Sequence, residues 1–416
     1  MSKFKGFSLS MPKNYDKMVH ACMLILLVFG SIMIASTSVG ESSDSIQVVI
    51  TAIIKQAVFL IVSYVLMTYM ARNFVKFLSR EVRVKEDKKE NLKRKNRYRV
   101  MFKWIGFIII GLLVLTLISP EVKGARSWIY LGPVSIQPSE FAKVYMIILL
   151  GVIVNDYGSK EITFFRYMKE PLLFFCITLV LLFMQPDFGT MMIFMAITAI
   201  LLLIPTNSAL STIKKLILFG FGIAAIVFVF ISTDFGISIL EKLNLGYKFG
   251  RVTNAADPFN DIFGEGYNLV YSIYAIATGG ISGLGLGASK QKFGYLPEAQ
   301  SDFIFSVTIE ELGLFGLAII VVCYCIILYK LFYYAMKTKS EGFKMILIGC
   351  GLYMSIHFIL NIGGVSGLIP LTGVPLLFIS SGGSSLISIM FLFGICQSII
   401  ALTRGQMTRM ENNRIK

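Results

Sequence analysis

Apolar runs of about 18 residues or more, enough to cross a hydrocarbon core roughly 30 Å thick, recur along almost the whole sequence. They leave no stretch of ordinary size for a water-soluble domain. Hydrophobic residues make up 56% of the 416 positions and charged residues only 15%, too few charges to solvate a soluble surface. The expected fold class is therefore all-α and integral to a membrane. Reading the apolar runs between polar breaks predicts spans near 18–38, 51–71, 104–119, 139–154, 171–184, 190–205, 215–233, 312–336, 345–363 and 384–402, about ten transmembrane helices. The fifth and sixth are short and could be one bent hairpin split at Gln185-Pro186-Asp187-Phe188-Gly189-Thr190. The first run follows Lys3, Lys5, Lys13 and Lys17 as a signal peptide would. It lacks a small-residue cleavage site and continues for about 20 residues, so it reads as a retained span.

Charge distribution supplies an orientation. With ten spans and both termini inside, thirty of the 39 Lys and Arg residues fall on inner segments or the inner ends of spans, leaving nine outside. That is the positive-inside pattern. It makes 1–17 and 403–416 cytoplasmic tails, 72–103 a basic cytoplasmic loop, and 234–311 a large extracytoplasmic loop between helices seven and eight. The formal net charge of +15 does not imply nucleic acid, because the basic cluster of 72–103 reads as a solvated loop near anionic lipid headgroups. The six cysteines all lie inside apolar runs and read as small buried hydrophobes; no Cys/His spacing fits a zinc site.

The loop at 234–311 is too long to be a plain connection and too aromatic to be disordered, so it is expected to pack onto the membrane. Within it, the spacing of Leu269, Val270, Ile273 and Ala277 predicts a helix too short to span, re-entrant or interfacial. Mid-span charges are nearly absent, which gives little support to an ion-coupled transporter. His357 and Asn361 on the ninth span are the main polar exceptions and read as interhelical hydrogen-bonding residues.

Three outer segments carry groups suited to chemistry. Arg126 and Lys143 flank a helix start at Gln137-Pro138-Ser139-Glu140, whose free backbone N–H groups and nearby cations suit phosphate or pyrophosphate. The alternative is that Lys143 snorkels or pairs with Glu140, and the residues alone leave both open. The glycine-rich run Gly279–Lys292 lacks the Gly-Lys-Ser/Thr ending of a nucleotide loop. Its glycines suit close approach of backbone to a ligand or another helix, with Lys290 and Lys292 as anion contacts. Next, Glu298 and Asp302 set two carboxylates at the mouth of the eighth span. Asp302 is either an N-cap or, partly desolvated at a lipid–water boundary, a general base. Glu310 and Glu311 could pair with basic outer residues and are assigned no chemistry.

Gly124-Ala125-Arg126-Ser127-Trp128-Ile129, Gln137-Pro138-Ser139-Glu140-Phe141-Ala142-Lys143, Gln185-Pro186-Asp187-Phe188-Gly189-Thr190, Leu296-Pro297-Glu298, Asp302-Phe303-Ile304-Phe305 and the segment from Gly363 to Gly373 occur in one order over nearly the full length. On these motifs the chain resembles the SEDS family (shape, elongation, division and sporulation), and its FtsW and SpoVE branch more than RodA. The resemblance implies a ten-helix peptidoglycan glycosyltransferase of the bacterial cytoplasmic membrane. Such an enzyme polymerises lipid II, the undecaprenyl-pyrophosphate-linked disaccharide pentapeptide, on the outer face. The family's essential aspartate falls on Asp302. Arg126, Lys143, Lys292, Glu298 and Gln137 are the expected substrate contacts, with a divalent cation (Mg or Mn) as a candidate aid to the pyrophosphate. A class B penicillin-binding protein and other division proteins are the implied partners, alongside membrane lipids. A lipid II flippase and a non-catalytic division scaffold are the competing readings. The chain departs from the family pattern at Leu377, where proline is common, at Ser381, where an aromatic is common, and at Gln300, where histidine is frequent.

Overall fold

The computed structural model describes residues 10–41, 46–79, 88–122, 124–132, 134–157, 164–206, 210–231, 233, 258–259, 262–264 and 266–415. Its helices are α1 (Lys17–Glu41), α2 (Ile46–Ser79), α3 (Lys88–Thr116), α4 (Pro138–Tyr157), α5 (Phe164–Met184), α6 (Phe188–Leu203), α7 (Ser211–Ile231), α8 (Tyr267–Gly279), α9 (Ile304–Lys337), α10 (Glu341–Val365) and α11 (Gly383–Ile415). A small antiparallel hairpin, β1 (Ile129–Leu131) and β2 (Val134–Ile136), sits between α3 and α4 with Ile129 opposite Ile136. Among the described residues, six helices are long and apolar enough to cross a bilayer: α1, α2, α4, α9, α10 and α11. These coincide with the first, second, fourth, eighth, ninth and tenth predicted spans. The chain is a mostly helical, multi-pass membrane protein.

Several boundaries differ from expectation, for one reason: apolar runs mark where lipid is, whereas helices continue past it. α2 runs on to Ser79 and α3 begins at Lys88, so most of the predicted basic loop 72–103 is helical. α11 runs through the predicted tail to Ile415. α9 starts at Ile304 rather than near 312, and takes in Glu310 and Glu311. Other expectations hold. α5 and α6 are separate helices broken at Gln185-Pro186-Asp187, and α8 is the short helix foreseen inside the long loop. Most of that loop upstream of α8 lies outside the described residues.

α4 is the central element. Every residue from Ala142 to Leu150 is buried, so α4 is enclosed all round by other elements. It packs against α3, α5, α6, α10 and α11, and α2 lies along α11. The outward faces of α2, α3 and α7 present isoleucine, valine, leucine and phenylalanine, a surface suited to acyl chains rather than water. Polar side chains therefore gather at the ends of the bundle and around α4.

Candidate functional site

Asp302 sits two residues before α9, whose N-cap position is Phe303, a residue with no side-chain cap bond of its own. The turn is closed by backbone instead: the carbonyl of Glu298 accepts the N–H groups of Ser301, Asp302 and Phe303 at 3.1, 3.2 and 3.3 Å. Glu298 itself takes a positive φ of 60°, and its exposed carboxylate accepts the Ser301 hydroxyl at 2.9 Å. Two neighbouring elements, α10 and the loop before α11, then hold the segment from outside. Asn361 on α10 donates its amide to the carbonyls of Asp302 and Val374, both at 2.8 Å. The Ser380 hydroxyl donates to the Ser301 carbonyl at 2.6 Å, and the Ser381 N–H to the Gln300 carbonyl at 2.9 Å. The half-buried Asp302 carboxylate lies against Gly373, where an added Cβ would stand 3.4 Å from Oδ2.

A second carboxylate borders the same stretch from the other side. An added Cβ on Gly189, in the first turn of α6, would stand 3.1 Å from the Thr372 carbonyl oxygen. Asp187 caps that helix by accepting the Thr190 N–H at 3.1 Å on Oδ1. Its Oδ2 accepts the Ser127 hydroxyl at 2.8 Å and the Gln137 amide at 3.3 Å. The Gln137 N–H donates to Ser384 at 2.9 Å, tying the start of α4 to the start of α11. Arg126 belongs to this group through its backbone, donating to the Gln185 carbonyl at 3.0 Å. Its guanidinium is half-exposed, 3.7 Å from Glu121. Buried polar atoms without a protein partner lie around the two carboxylates: Asn361 Oδ1, Thr372 Oγ1, Ser139 Oγ and Gln185 Oε1. Such atoms are costly unless water or a ligand meets them.

The two lysines expected to grip an anion are placed otherwise. Lys143, in the first turns of α4, is 1% exposed, with Nζ 2.8 Å from Glu140 and 3.2 Å from His357 Nε2. Glu140 also accepts the Tyr353 hydroxyl, which lies 3.2 Å from Ser388. His357 Nδ1 is 3.1 Å from the Pro375 carbonyl, so that nitrogen is the donor and Nε2 is left to accept from Lys143. The expectation of interhelical hydrogen bonding holds for His357, which meets Lys143 of α4, whereas Asn361 binds loop carbonyls instead; their spacing of one helical turn brings the Lys143 cluster and the Asp302 clasp onto one face of α10. Lys292 is likewise buried, with Nζ 2.8 Å from Glu311, 2.8 Å from the Gly287 carbonyl and 3.0 Å from Ser36 of α1. Each ammonium is neutralised by a carboxylate and shut from solvent, so neither is open to a diphosphate. Glu311, read from sequence as able to pair with a basic outer residue, is the counter-ion of Lys292.

The structure thus gathers Asp302, Glu298, Gln137 and Arg126 at one end of the bundle, puts Lys143 one turn deeper, and sends Lys292 to a separate contact with α1 and α9. Asp187 is the site residue to which sequence reading gave no role, and Asn361 was read only as a hydrogen-bonding residue of its span. A readable signal for Asp187 was its position before Gly189-Thr190 at a helix start, where a carboxylate both caps and faces the bundle end.

A multi-pass helical membrane protein with carboxylates clustered at one end of its helices is the class that fold and site define. The family model described as cell cycle protein, FtsW/RodA/SpoVE, matches residues 16–405. The chain belongs to that family. It is 38% identical over 299 residues to the probable peptidoglycan glycosyltransferase FtsW of Bacillus subtilis, covering 71% of this chain and 72% of the relative. With stage V sporulation protein E of the same organism it shares 35% over 313 residues, 74% of this chain and 81% of the relative. Its fold resembles a chain from a structure described as "Structural coordination of polymerization and crosslinking by a peptidoglycan synthase complex". The TM-score is 0.67 at 21% identity, covering 94% of this chain and 98% of that one. The crystal structure of Thermus thermophilus rod shape determining protein RodA is similar at a TM-score of 0.59 and 20% identity, covering 93% and 96%.

Proposed function

We propose that the protein is a peptidoglycan glycosyltransferase that polymerises lipid II at the outer face of a bacterial cytoplasmic membrane. The observation that carries this reading is the held carboxylate. Asp302 is presented at a helix mouth by backbone bonds from Asn361 and Ser380, with a second carboxylate, Asp187, across the Thr372-Gly373 stretch. Membership of a family that includes a probable peptidoglycan glycosyltransferase supports it. The topology belonging to it has ten spans, both termini cytoplasmic, and the segment 234–311 outside. The positive-inside bias supports that arrangement.

In the reaction, a sugar hydroxyl of one chain attacks the anomeric carbon of another while the lipid-linked diphosphate leaves. Asp302 accepts the hydroxyl proton as the bond forms, an effect typically worth about 10²–10⁴-fold. Attack opposite the leaving group inverts the anomeric centre. Arg126 is the candidate cation for the departing diphosphate, since its guanidinium is half-exposed whereas Lys143 and Lys292 are enclosed. Among the described residues no three His, Cys, Asp or Glu side chains gather as a metal-binding set. A Mg or Mn ion held mainly by the diphosphate needs only one or two protein carboxylates, so it stays a candidate aid to the leaving group, and no step is routed through it. A class B penicillin-binding protein, supplying transpeptidation, is the proposed partner, and co-purification from membranes checks it.

The deciding experiment is Asp302→Asn in purified full-length protein supplied with lipid II. The variant should insert and melt like the parent yet form no glycan polymer. Undiminished polymerisation removes Asp302 as the base.

A further inference from the structure

Lys292, Glu310 and Glu311 form a buried assembly that the reaction above does not use. The two glutamates are neighbours on α9, both 0% exposed, and lie about two turns below Asp302 on the same chain. Each grips the glycine-rich loop that precedes Asp302. Glu310 accepts the Ser289 hydroxyl and the backbone N–H groups of Lys290 and Gln291, the latter two at 3.0 and 3.4 Å. Glu311 accepts the Gly287 N–H at 3.0 Å and the Lys292 ammonium at 2.8 Å, and the Ser36 hydroxyl of α1 at 2.7 Å. Ser36 in turn accepts from Lys292 at 3.0 Å. Two adjacent carboxylates thus take up donors from one loop, one ammonium and a second helix.

The backbone beneath is shaped to allow this. At Gly313, φ is +58° and the helix breaks its regular dihedrals. An added Cβ there would lie 2.3 Å from the Ile281 carbonyl oxygen, and one on Gly283 would lie 2.2 Å from the Glu311 carbonyl oxygen. The loop therefore lies directly on α9, backbone to backbone, with the N–H groups of Leu284 and Gly285 bonded to the carbonyls of Glu310 and Glu311 at 2.9 Å each. From this anchor to Asp302 the chain has no slack. The Lys290 and Gln291 carbonyls accept the N–H groups of Phe293 and Leu296, Leu296 and Ala299 are buried, and the Glu298 carbonyl closes the turn that ends at Asp302.

We infer that the Lys292–Glu311 ion pair, with Glu310 and Ser36, is a latch that positions Asp302 for catalysis. The latch binds the loop back onto the helix whose mouth presents the carboxylate. Lys292 and Glu311 are positioning residues: they touch no reacting atom, and their effect reaches Asp302 through the closed run of chain from Lys292 to Glu311. A misplacement of a catalytic group by about 1 Å costs on the order of 100-fold in rate. This inference rests on the proposed role of Asp302 and deepens it.

The test uses purified full-length protein and lipid II, comparing the parent, Asp302→Asn, and the double variant Lys292→Met/Glu311→Gln. The double variant removes both charges of the pair together, so no lone ion is left buried. With Asp302→Asn inactive and the double variant melting near the parent, kcat should fall about 100-fold with KM little changed. An unchanged kcat overturns the latch while leaving the reading of Asp302 standing. A raised KM with kcat kept also overturns it, because Lys292 would then be a substrate contact. An active Asp302→Asn variant sinks the reading of Asp302 first. Should the double variant fail to fold, Ser36→Ala removes a single hydroxyl from the same latch. A lowered kcat at constant KM then supports the inference, and a parental kcat overturns it.

Discussion

Replacing Lys143 with methionine removes the ammonium from a carboxylate that has no access to water. The two side chains are 1% and 3% exposed and their charged atoms stand 2.8 Å apart. At an effective dielectric of about 20, two unit charges at that distance attract by roughly 6 kcal/mol, much of which offsets the cost of taking both out of water. The net value of the pair is therefore small, but breaking it from one side is not. A lone buried ion costs about 3–5 kcal/mol. Here the lower end applies, because the Tyr353 hydroxyl still donates to Glu140. Lys143→Met should thus lower stability by about 3 kcal/mol, a change of about 100-fold in the folded-to-unfolded ratio. Lys143→Met/Glu140→Gln, which leaves no ion behind, should recover most of that loss. Thermal and denaturant unfolding in detergent, followed by helical circular dichroism, measures all three proteins. A single variant as stable as the parent, or a double variant no better than the single, would refute the argument that Lys143 is a structural counter-ion. Were Lys143 instead a contact for the substrate diphosphate, the double variant would fold well but need far more lipid II to reach half-maximal rate.

Two further outcomes follow from the geometry. Asn361→Leu removes the amide that holds the carbonyls of Asp302 and Val374, so kcat for polymerisation should fall at least tenfold, on the order of the cost of a loosened catalytic group. Steady-state kinetics on lipid II check this, and parental kcat contradicts the role of Asn361 as a clasp. Gly313→Ala places a Cβ within 2.3 Å of the Ile281 carbonyl oxygen at a φ of +58°. It should lower the unfolding midpoint by an amount corresponding to about 1–3 kcal/mol, and an unshifted midpoint would mean the contact yields freely.

Much of the chain could be read without coordinates. A bilayer interior has no water to satisfy backbone groups, so long apolar runs become helices whatever their detailed sequence. That is why six of the spans, the break at Gln185-Pro186-Asp187, the helix start at Pro138 and the short helix from Tyr267 were legible. The ends of α2, α3 and α11 were not, because hydropathy reports where lipid begins and is silent about helix that continues into water. The turn that presents Asp302 was not legible either, because it is closed by the backbone carbonyl of Glu298 at a positive φ, which the side-chain pattern does not report.

The amino-acid pattern by itself determined that this is a multi-pass helical membrane protein and marked its polar segments, the one holding Asp302 among them. Which charges stay open to solvent and which neutralise one another was decided only by the tertiary structure. Lys143 meets His357 from 214 positions away, and Lys292 meets Ser36 across 256. The reason is physical. An ion's role depends on which groups stand within about 4 Å of it and on whether water can reach it. Both conditions are set by the packing of distant helices, to which local residue spacing is blind.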